Sequence, residues 1–471
     1  MRGFIHEDFL LGNRTARRLY HDHAARLRIV DYHNHIAPED LAGDRVFENL
    51  ARLWVNGDPY KHRAMRIAGV PEARITGDAP DREKFDRWAA TVPLTAGNPL
   101  HHWTALELLR FFDIDEDLNA DSAGRIWTAC NERLRAPTHS ARGLVAKTRV
   151  ECLCTSDRLL DPLDAHARLA ASGFETRVLP SLRADDVTAV AEPDFADWTS
   201  ALGAATGIRI DGLDAFRAAA AARLDAFDRA GCRLADHALD DFAYAPAEDA
   251  AADAFLRRRL AGDPVADADL VRLRSTLLRF FGIEYGRRGW ILQLHLGAKR
   301  RTSSRLRTLA GPAGGYAGIG RAADIGALCA FLDDLERADA LPRTILYTLN
   351  PADNAALAVL TGSYAADGVP GKVQFGPAWW YNDHADGIRA HLAALAAHGL
   401  LSTFVGMTTD SRSLLSMTRH EYFRRILCDF IGARAEAGEW PRDETFLAEI
   451  VCAIAYANPR RWILGGTEGA A

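Results

Sequence analysis

Short apolar runs alternate along the chain with longer stretches whose apolar residues recur every three or four positions. The runs at 28–35 ("RIVDYHNH"), 148–155 ("TRVECLCT"), 175–181 ("ETRVLPS"), 230–235, 289–296 ("GWILQLHL"), 343–348 ("RTILYT"), 371–376 and 402–408 ("STFVGMT") read as β-strands. Alanine-rich stretches between them, such as 214–229 and 388–398, read as helices. Strands separated by helices predict an α/β fold, a parallel sheet closed into a distorted eight-stranded TIM-like (β/α) barrel. Residues 40–145 are too long for a simple crossover, and their Trp- and Leu-rich periodicity predicts a helical insertion after the first strand. The expected organisation is a helical lead-in over 1–27, one barrel domain over 28–463 with the insertion at about 40–145, and a mobile tail over 464–471.

Composition narrows the class without naming a chemistry. The chain has 471 residues, 48% hydrophobic and 25% charged, the balance of an ordinary globular protein. A net charge of −6, with no dense basic run beyond "GAKRRTSSRLR", argues against a nucleic-acid surface, so an anionic ligand would need local arginines. The seven cysteines form no C-x-x-C pair, and Cys152 and Cys154 alternate within a buried run, which favours core over ligand. An odd count without framework spacing suits a reducing cytoplasm, and "MRGFIHEDFLLGN" lacks the apolar core of a signal peptide. The most apolar stretch, "HLAALAAHGLLSTFVGM", is shorter than a membrane span, so no membrane role is expected.

Candidate chemistry concentrates where the predicted strands end. His33 and His35, two residues apart, would project from one face of strand one. With 16 histidines in 471 residues, about 0.5 His-X-His pairs are expected by chance, so spacing leaves a metal site and two hydrogen-bonded histidines both open. The second pair, His21 and His23, lies on helical spacing and should diverge into solvent. His295 ends strand five, and Asp410 and Arg412 follow strand eight in "GMTTDSRS". The C-terminal ends of barrel strands are where such folds carry their chemistry. Each has a plainer alternative: a packed histidine, a helix N-cap at Asp410, an exposed first-turn arginine at Arg412.

The strings "VDYHNHI", "FENLARLWVNGDPYKHRAMR", "NPLHHWTALELLRFFDI", "AGCRLADHALD", "QLHLGAKR" and "GMTTDSRSLLSMTRHEYFRRILC" resemble the uronate isomerases of the amidohydrolase superfamily, from about residue 5 to about 463. The resemblance implies a metal-dependent-hydrolase-like barrel in the cytoplasm. It also implies interconversion of D-glucuronate with D-fructuronate and of D-galacturonate with D-tagaturonate. Residue by residue, it implies a divalent metal, zinc by preference, on His33, His35 and Asp410, with Tyr60, Arg183, His295, Trp379 or Trp380, and Arg412 around the substrate. Two imidazoles and a carboxylate form a set that leaves coordination positions open, as a catalytic rather than structural site does.

Moving a carbonyl from C1 to C2 needs a base near C2–H, polarisation of the carbonyl oxygen, and return of the proton to C1 through an enediol. In this scheme Asp410 is the base, Tyr60 and Arg412 support the enediolate, His295 binds or relays at a hydroxyl, and Arg183 clamps the C6 carboxylate. Two departures from the family pattern stand out. "GDPYKH" carries Pro59 and His62 where the family has His and Trp, and "RRTSSR" replaces an Asn-rich run after strand five.

The alternatives are a one-metal hydrolase of a sugar-acid derivative, or an inactive sugar-acid-binding homologue. A two-metal hydrolase would want a lysine near strand four and a histidine on strand six, and neither is present. The expected partner is a small hexuronate, and a homo-oligomer is the default for a metabolic enzyme.

Overall fold

A computed structural model describes residues 4–465. Its strands are β1 (Ile29–Asp31), β2 (Val150–Cys154), β3 (Asp157–Arg158), β4 (Arg177–Leu179), β5 (Leu182–Arg183), β6 (Leu234–Leu239), β7 (Ile291–Leu296), β8 (Ala298–Lys299), β9 (Gly318–Ile319), β10 (Arg343–Thr348) and β11 (Val373–Phe375). They pair in parallel as β1-β2-β4 and β3-β5-β6-β7-β10-β11, with β8 and β9 forming a separate antiparallel hairpin. Backbone bonds from Thr155 N to Leu179 O (3.0 Å), Ser181 N to Thr155 O (3.1 Å) and Asp157 N to Ser181 O (2.9 Å) join the two sheets. Thus β2 and β3 are one strand interrupted once, as are β4 and β5, and seven strands stand side by side in chain order.

The expected eighth strand, 402–408, does not form a ladder. Leu401–Thr403 is a 3-10 turn, and the chain beyond it runs extended between the two sheet edges. It reaches β11 through Val405 N to the Gln374 side chain (3.3 Å), and the end of β1 through Asp410 N to His33 O (3.0 Å) and His35 N to Ser411 O (2.9 Å). Gly406 explains the irregularity: its φ is +71° and a Cβ there would lie 2.2 Å from Ile454 O. Side chains take over where the ladder is missing. The buried Asp31 carboxylate accepts from Thr408 Oγ1 (2.8 Å), Thr409 N (2.7 Å) and Thr409 Oγ1 (2.8 Å), and Tyr32 OH donates to Gly406 O (3.0 Å).

Other boundaries also move. β1 stops at Asp31, so His33 and His35 follow the strand instead of lying on it. The strand expected at 230–235 begins at Leu234, because Gly231 N to Asp228 O (2.9 Å) and Cys232 N to Phe227 O (3.0 Å) spend those residues on closing the helix Leu213–Arg229.

Between β1 and β2 lie seven α-helices, from Pro38–Ala42 to Ala141–Lys147, packed around buried Trp54, Phe85, Trp88, Trp103, Phe111 and Phe112. The helix that delivers Tyr60, Pro59–Ile67, starts where it does because Asp58 caps it and Pro59 occupies its first turn. The lead-in contains the helix Arg14–Arg18 and the π-helical turn Leu19–Ala24, on which His21 lies 3.1 Å from Asp8 and His23 3.6 Å from Glu444. Leu464 ends the last helix, and residues 466–471 of the expected tail lie outside the described residues. All seven cysteines are free, with Cys152 and Cys154 fully buried. Among the described residues no helix is long and apolar enough to cross a membrane.

Candidate active site

A cavity of about 300 Å³ opens at the C-terminal ends of the strands, and His33, His35, Tyr60, Arg183, His295, Trp379, Trp380, Asp410 and Arg412 all line it. Segments that meet there are far apart in sequence and are fixed by the backbone bonds of 408–411 to the end of β1.

Asp410 is the hub. Its φ of +45° is an uncommon backbone state for a residue with a side chain, held by the pairing to His33 O. His35 Nε2 lies 2.9 Å and His33 Nε2 3.4 Å from its Oδ1, while the indole N–H of Trp379 (2.6 Å) and that of Trp380 donate to Oδ2. Burial opposes ionisation of this carboxyl, but the hydrogen bonds and charge of the two imidazoles prevail and hold it well below the usual carboxylate range. The N-cap alternative for Asp410 is thereby set aside: Ser413 caps the 3-10 turn Leu414–Met417 that leads into the helix Thr418–Ala437.

The ligand-type atoms of His33, His35 and Asp410 all lie within 4.8 Å of one another, and the buried Asp410 Oδ1 faces only the two imidazoles among the described residues. A buried carboxylate oxygen between two imidazole nitrogens, with no other donor on it, fits a divalent cation.

Around this hub the walls have distinct characters. His295 stacks on Tyr347 with centroids 4.5 Å apart and sits 4.9 Å from the His33 ring. Burial, reinforced by the His33 charge, pushes the His295 imidazole down to about 3, so it is neutral and offers one donor and one acceptor. Asp236 on β6 lies 3.9 Å from His295 Nδ1, and burial lifts its carboxyl to about 6. Its neighbour His237 faces away from the rim and bonds Tyr285 OH at 3.1 Å in the core. Asp185 takes Arg183 through Nε alone (2.9 Å), leaving both Nη groups without a hydrogen-bond partner among the described residues. Arg412 stands exposed on the rim, also unpaired there, and burial of its surroundings lowers its guanidinium.

Two sequence departures acquire a place. His62 is buried and absent from the cavity wall, so it does not replace the missing family histidine; burial pushes it down to about 4. In "RRTSSR", Arg300 pairs with Asp240 and lies 5.8 and 5.4 Å over the rings of Trp379 and Trp380, while Thr302 and Ser303 serve the loop and the helix Ser304–Ala310. Sequence spacing gave no sign of Asp383 or Arg419, which stand behind Tyr60: Tyr60 OH donates to Asp383 Oδ2 at 2.7 Å. The lysine and histidine a two-metal hydrolase would use are missing, β6 offering Asp236 and β10 Tyr347 in their place.

Comparison with known proteins agrees with this geometry. A family model described as glucuronate isomerase matches residues 1–463. The uronate isomerase of Bacillus licheniformis is 44% identical over 462 residues, covering 98% of each chain. That of Salmonella newport is 45% identical over 466 residues, 98% of this chain and 99% of the relative. The solved uronate isomerase of Thermotoga maritima superimposes with a TM-score of 0.93 at 29% identity, covering 98% of this chain and 100% of that one.

Proposed function

The chain belongs to the glucuronate isomerase family, and from that premise we propose how its residues carry out the reaction. It is an enzyme, an aldose–ketose isomerase of hexuronates, interconverting D-glucuronate with D-fructuronate and D-galacturonate with D-tagaturonate. We place it in the cytoplasm as a homo-oligomer built from one barrel domain, residues 28–463, with the helical insertion after its first strand.

The open-chain substrate enters the cavity with its C6 carboxylate on Arg183, whose planar fork gives a two-point clamp and fixes which end of the sugar faces the hub. Trp379 and Trp380 supply apolar faces and hold Asp410 in place, and His33 also contacts the substrate. Asp410, its carboxyl held well below the usual carboxylate range, takes the C2 proton and delivers it to C1. Its low proton affinity favours handing the proton on over keeping it. Arg412 and Tyr60 meet the oxygens of the developing enediolate, and neutral His295 bonds a hydroxyl. His33, His35 and Asp410 would hold a divalent metal, zinc in this reading, which when bound supplies a Lewis acid for orienting and polarising substrate oxygens.

One observation supports this assignment above the rest: a carboxylate held ionised between two imidazoles and two indoles, in the same cavity as an arginine whose Nη groups are unpaired. Incubation with each hexuronate in deuterated buffer, followed by NMR, tests it. Ketose carrying deuterium at C1 is expected, with loss of both signals in Asp410→Asn. A folded, metal-loaded protein that makes neither ketose nor exchanged aldose would refute it.

A further inference from the structure

Tyr60 reaches the cavity with its hydroxyl already engaged, donating to Asp383 Oδ2 at 2.7 Å. Asp383 lies in the turn after β11, buried, with its Oδ1 unpartnered. Arg419, from the second position of the helix Thr418–Ala437, comes within 3.9 Å of the same Oδ2. Arg419 is itself held on three sides: its guanidinium lies 3.9 Å over Trp103 and 5.2 Å over Tyr60, and Nη1 donates to Thr409 O at 3.3 Å. Thr409 precedes Asp410. One buried arginine therefore ties the Tyr60 partner to the strand end that carries the proposed base.

A phenol donating to a carboxylate makes a short, directional bond, and burial together with the nearby Asp383 charge keeps Tyr60 from ionising. Tyr60 is thus a neutral phenol whose proton points at Asp383, so its oxygen faces the cavity as an acceptor. An acceptor suits a substrate hydroxyl and does not suit an oxyanion.

Building on the isomerase reading above, we infer that Asp383, clamped by Arg419, is the positioning residue of Tyr60. It fixes the phenol oxygen as the acceptor for a hydroxyl of the enediol and so biases that intermediate towards ketose. The donor that faces the oxyanion is then Arg412. No proton needs to leave Tyr60.

The test uses the metal-loaded full chain and D-glucuronate in deuterated buffer, reading ketose formed and C2 deuterium in recovered aldose. Asp383→Ala is expected to lower kcat about 10- to 100-fold with little change in KM, and to raise the ratio of exchanged aldose to ketose. Asp383→Asn, which keeps an acceptor oxygen, should restore most of kcat. Tyr60→Phe should show the same shift in ratio, and Tyr60→Phe with Asp383→Ala should be no worse than Tyr60→Phe alone. Exchange and ketose falling together at constant ratio, losses that multiply in the double variant, or an Asp383→Ala kcat within twofold of wild type would each overturn the inference. If Asp383→Ala does not fold, Asp383→Asn and Tyr60→Phe decide by the ratio. A wild-type protein inert towards both hexuronates would instead sink the isomerase reading.

Discussion

The strap over residues 311–317 offers the sharpest single-residue experiment. Pro312, Ala313, Gly315 and Ala317 form one wall of the cavity, and the strap is pinned to the helical insertion. Ala317 O accepts from Tyr381 OH (2.7 Å) and Arg63 Nη1 (3.1 Å), and Gly314 O accepts from the Arg66 guanidinium. Gly315 sits at φ +78°, and a methyl there would lie 2.1 Å from Pro59 O and 2.9 Å from its carbonyl carbon. Backbone cannot rotate away as a side chain can, so in Gly315→Ala the strap must lift by about 1 Å. Left-handed strain costs about 1–2 kcal/mol and weakening of one or two charge-assisted bonds about as much again, so the closed strap loses about 2–4 kcal/mol. At 1.4 kcal/mol per decade, kcat/KM should fall about 30- to 1,000-fold while the thermal midpoint barely moves, since the rest of the domain is untouched.

Gly311→Ala is the control. Its φ of +73° and ψ of 178° favour glycine but nothing lies within 4 Å of an added Cβ, so it carries strain of about 1–3 kcal/mol without collision and should lose about 150-fold at most. Kinetics of both variants, with limited proteolysis of the strap, measure the difference. If Gly315→Ala is no more impaired than Gly311→Ala, closure of the strap on Pro59 does not govern access to the site.

Arg183→Lys keeps the charge but loses the fork, so KM for D-glucuronate should rise about 10- to 100-fold with kcat nearly unchanged; an unchanged KM would take Arg183 out of the carboxylate clamp. Metal analysis of the purified wild type should find about one divalent ion per chain, and His33→Ala or His35→Ala should lose it, whereas full retention in both would place the ion elsewhere. Lys61 is buried against Asp58 and Glu107, so Lys61→Met leaves two buried carboxylates unpaired and should cost about 3–5 kcal/mol by denaturant titration. Burial lifts the Asp157 carboxyl to about 7, above its unfolded value of 3.8, so stability contributed by the neutral form is fully present below 3.8, is lost as pH rises from there through about 7, and changes no further above it. Asp157→Asn should remove that slope, about 1.4 kcal/mol per pH unit, and an identical slope in the variant would refute it. Burial depresses His237 and His391 to about 4, so their contribution runs the other way, present above the unfolded value of 6.5 and lost as pH falls towards 4.

How much of this was legible in the sequence follows from which interactions are local. β10 covers the same residues that periodicity assigns to it, 343–348, because every position is read by burial against neighbours on both sides. His33 and His35 were singled out for a reason that does not hold: they do not lie on a strand face but converge on Asp410 beyond the end of β1, through backbone bonds to residues 410 and 411. Nothing in strand periodicity encodes that. The run "TRHEYFRR" looks solvent-facing, yet Arg419, His420, Arg424 and Arg425 are all buried. Their partners are far away in sequence: Asp31 for His420, Leu27 O and Arg28 O for Arg424, Glu7 O and Phe9 O for Arg425. A polarity pattern marks such residues as exposed until the tertiary partners are known, and Asp383 was missed on the same account.

Net charge illustrates the same limit from the other direction. A chain at −6 gives no hint of an anion site, and composition demanded that any such site gather arginines locally. The cavity does so: Arg63, Arg158, Arg183, Arg300, Arg412 and Arg419 line it against Asp58, Asp236 and Asp410. Several of these are neutralised by design of the fold, Arg419 facing Asp383 and Arg300 facing Asp240, so they shape the walls more than they attract ligand. Arg183, with only Nε engaged, and Arg412, unpaired on the rim among the described residues, keep charge free for a ligand in the cavity. They stand on different elements, one closing β5 and one following the irregular eighth segment. A ligand with a carboxylate at one end and a developing oxyanion at the other matches two separated cations, whereas a neutral sugar would leave both uncompensated. The spacing of positive charge, which neither composition nor motif states, is what ties this cavity to the two ends of an open-chain hexuronate.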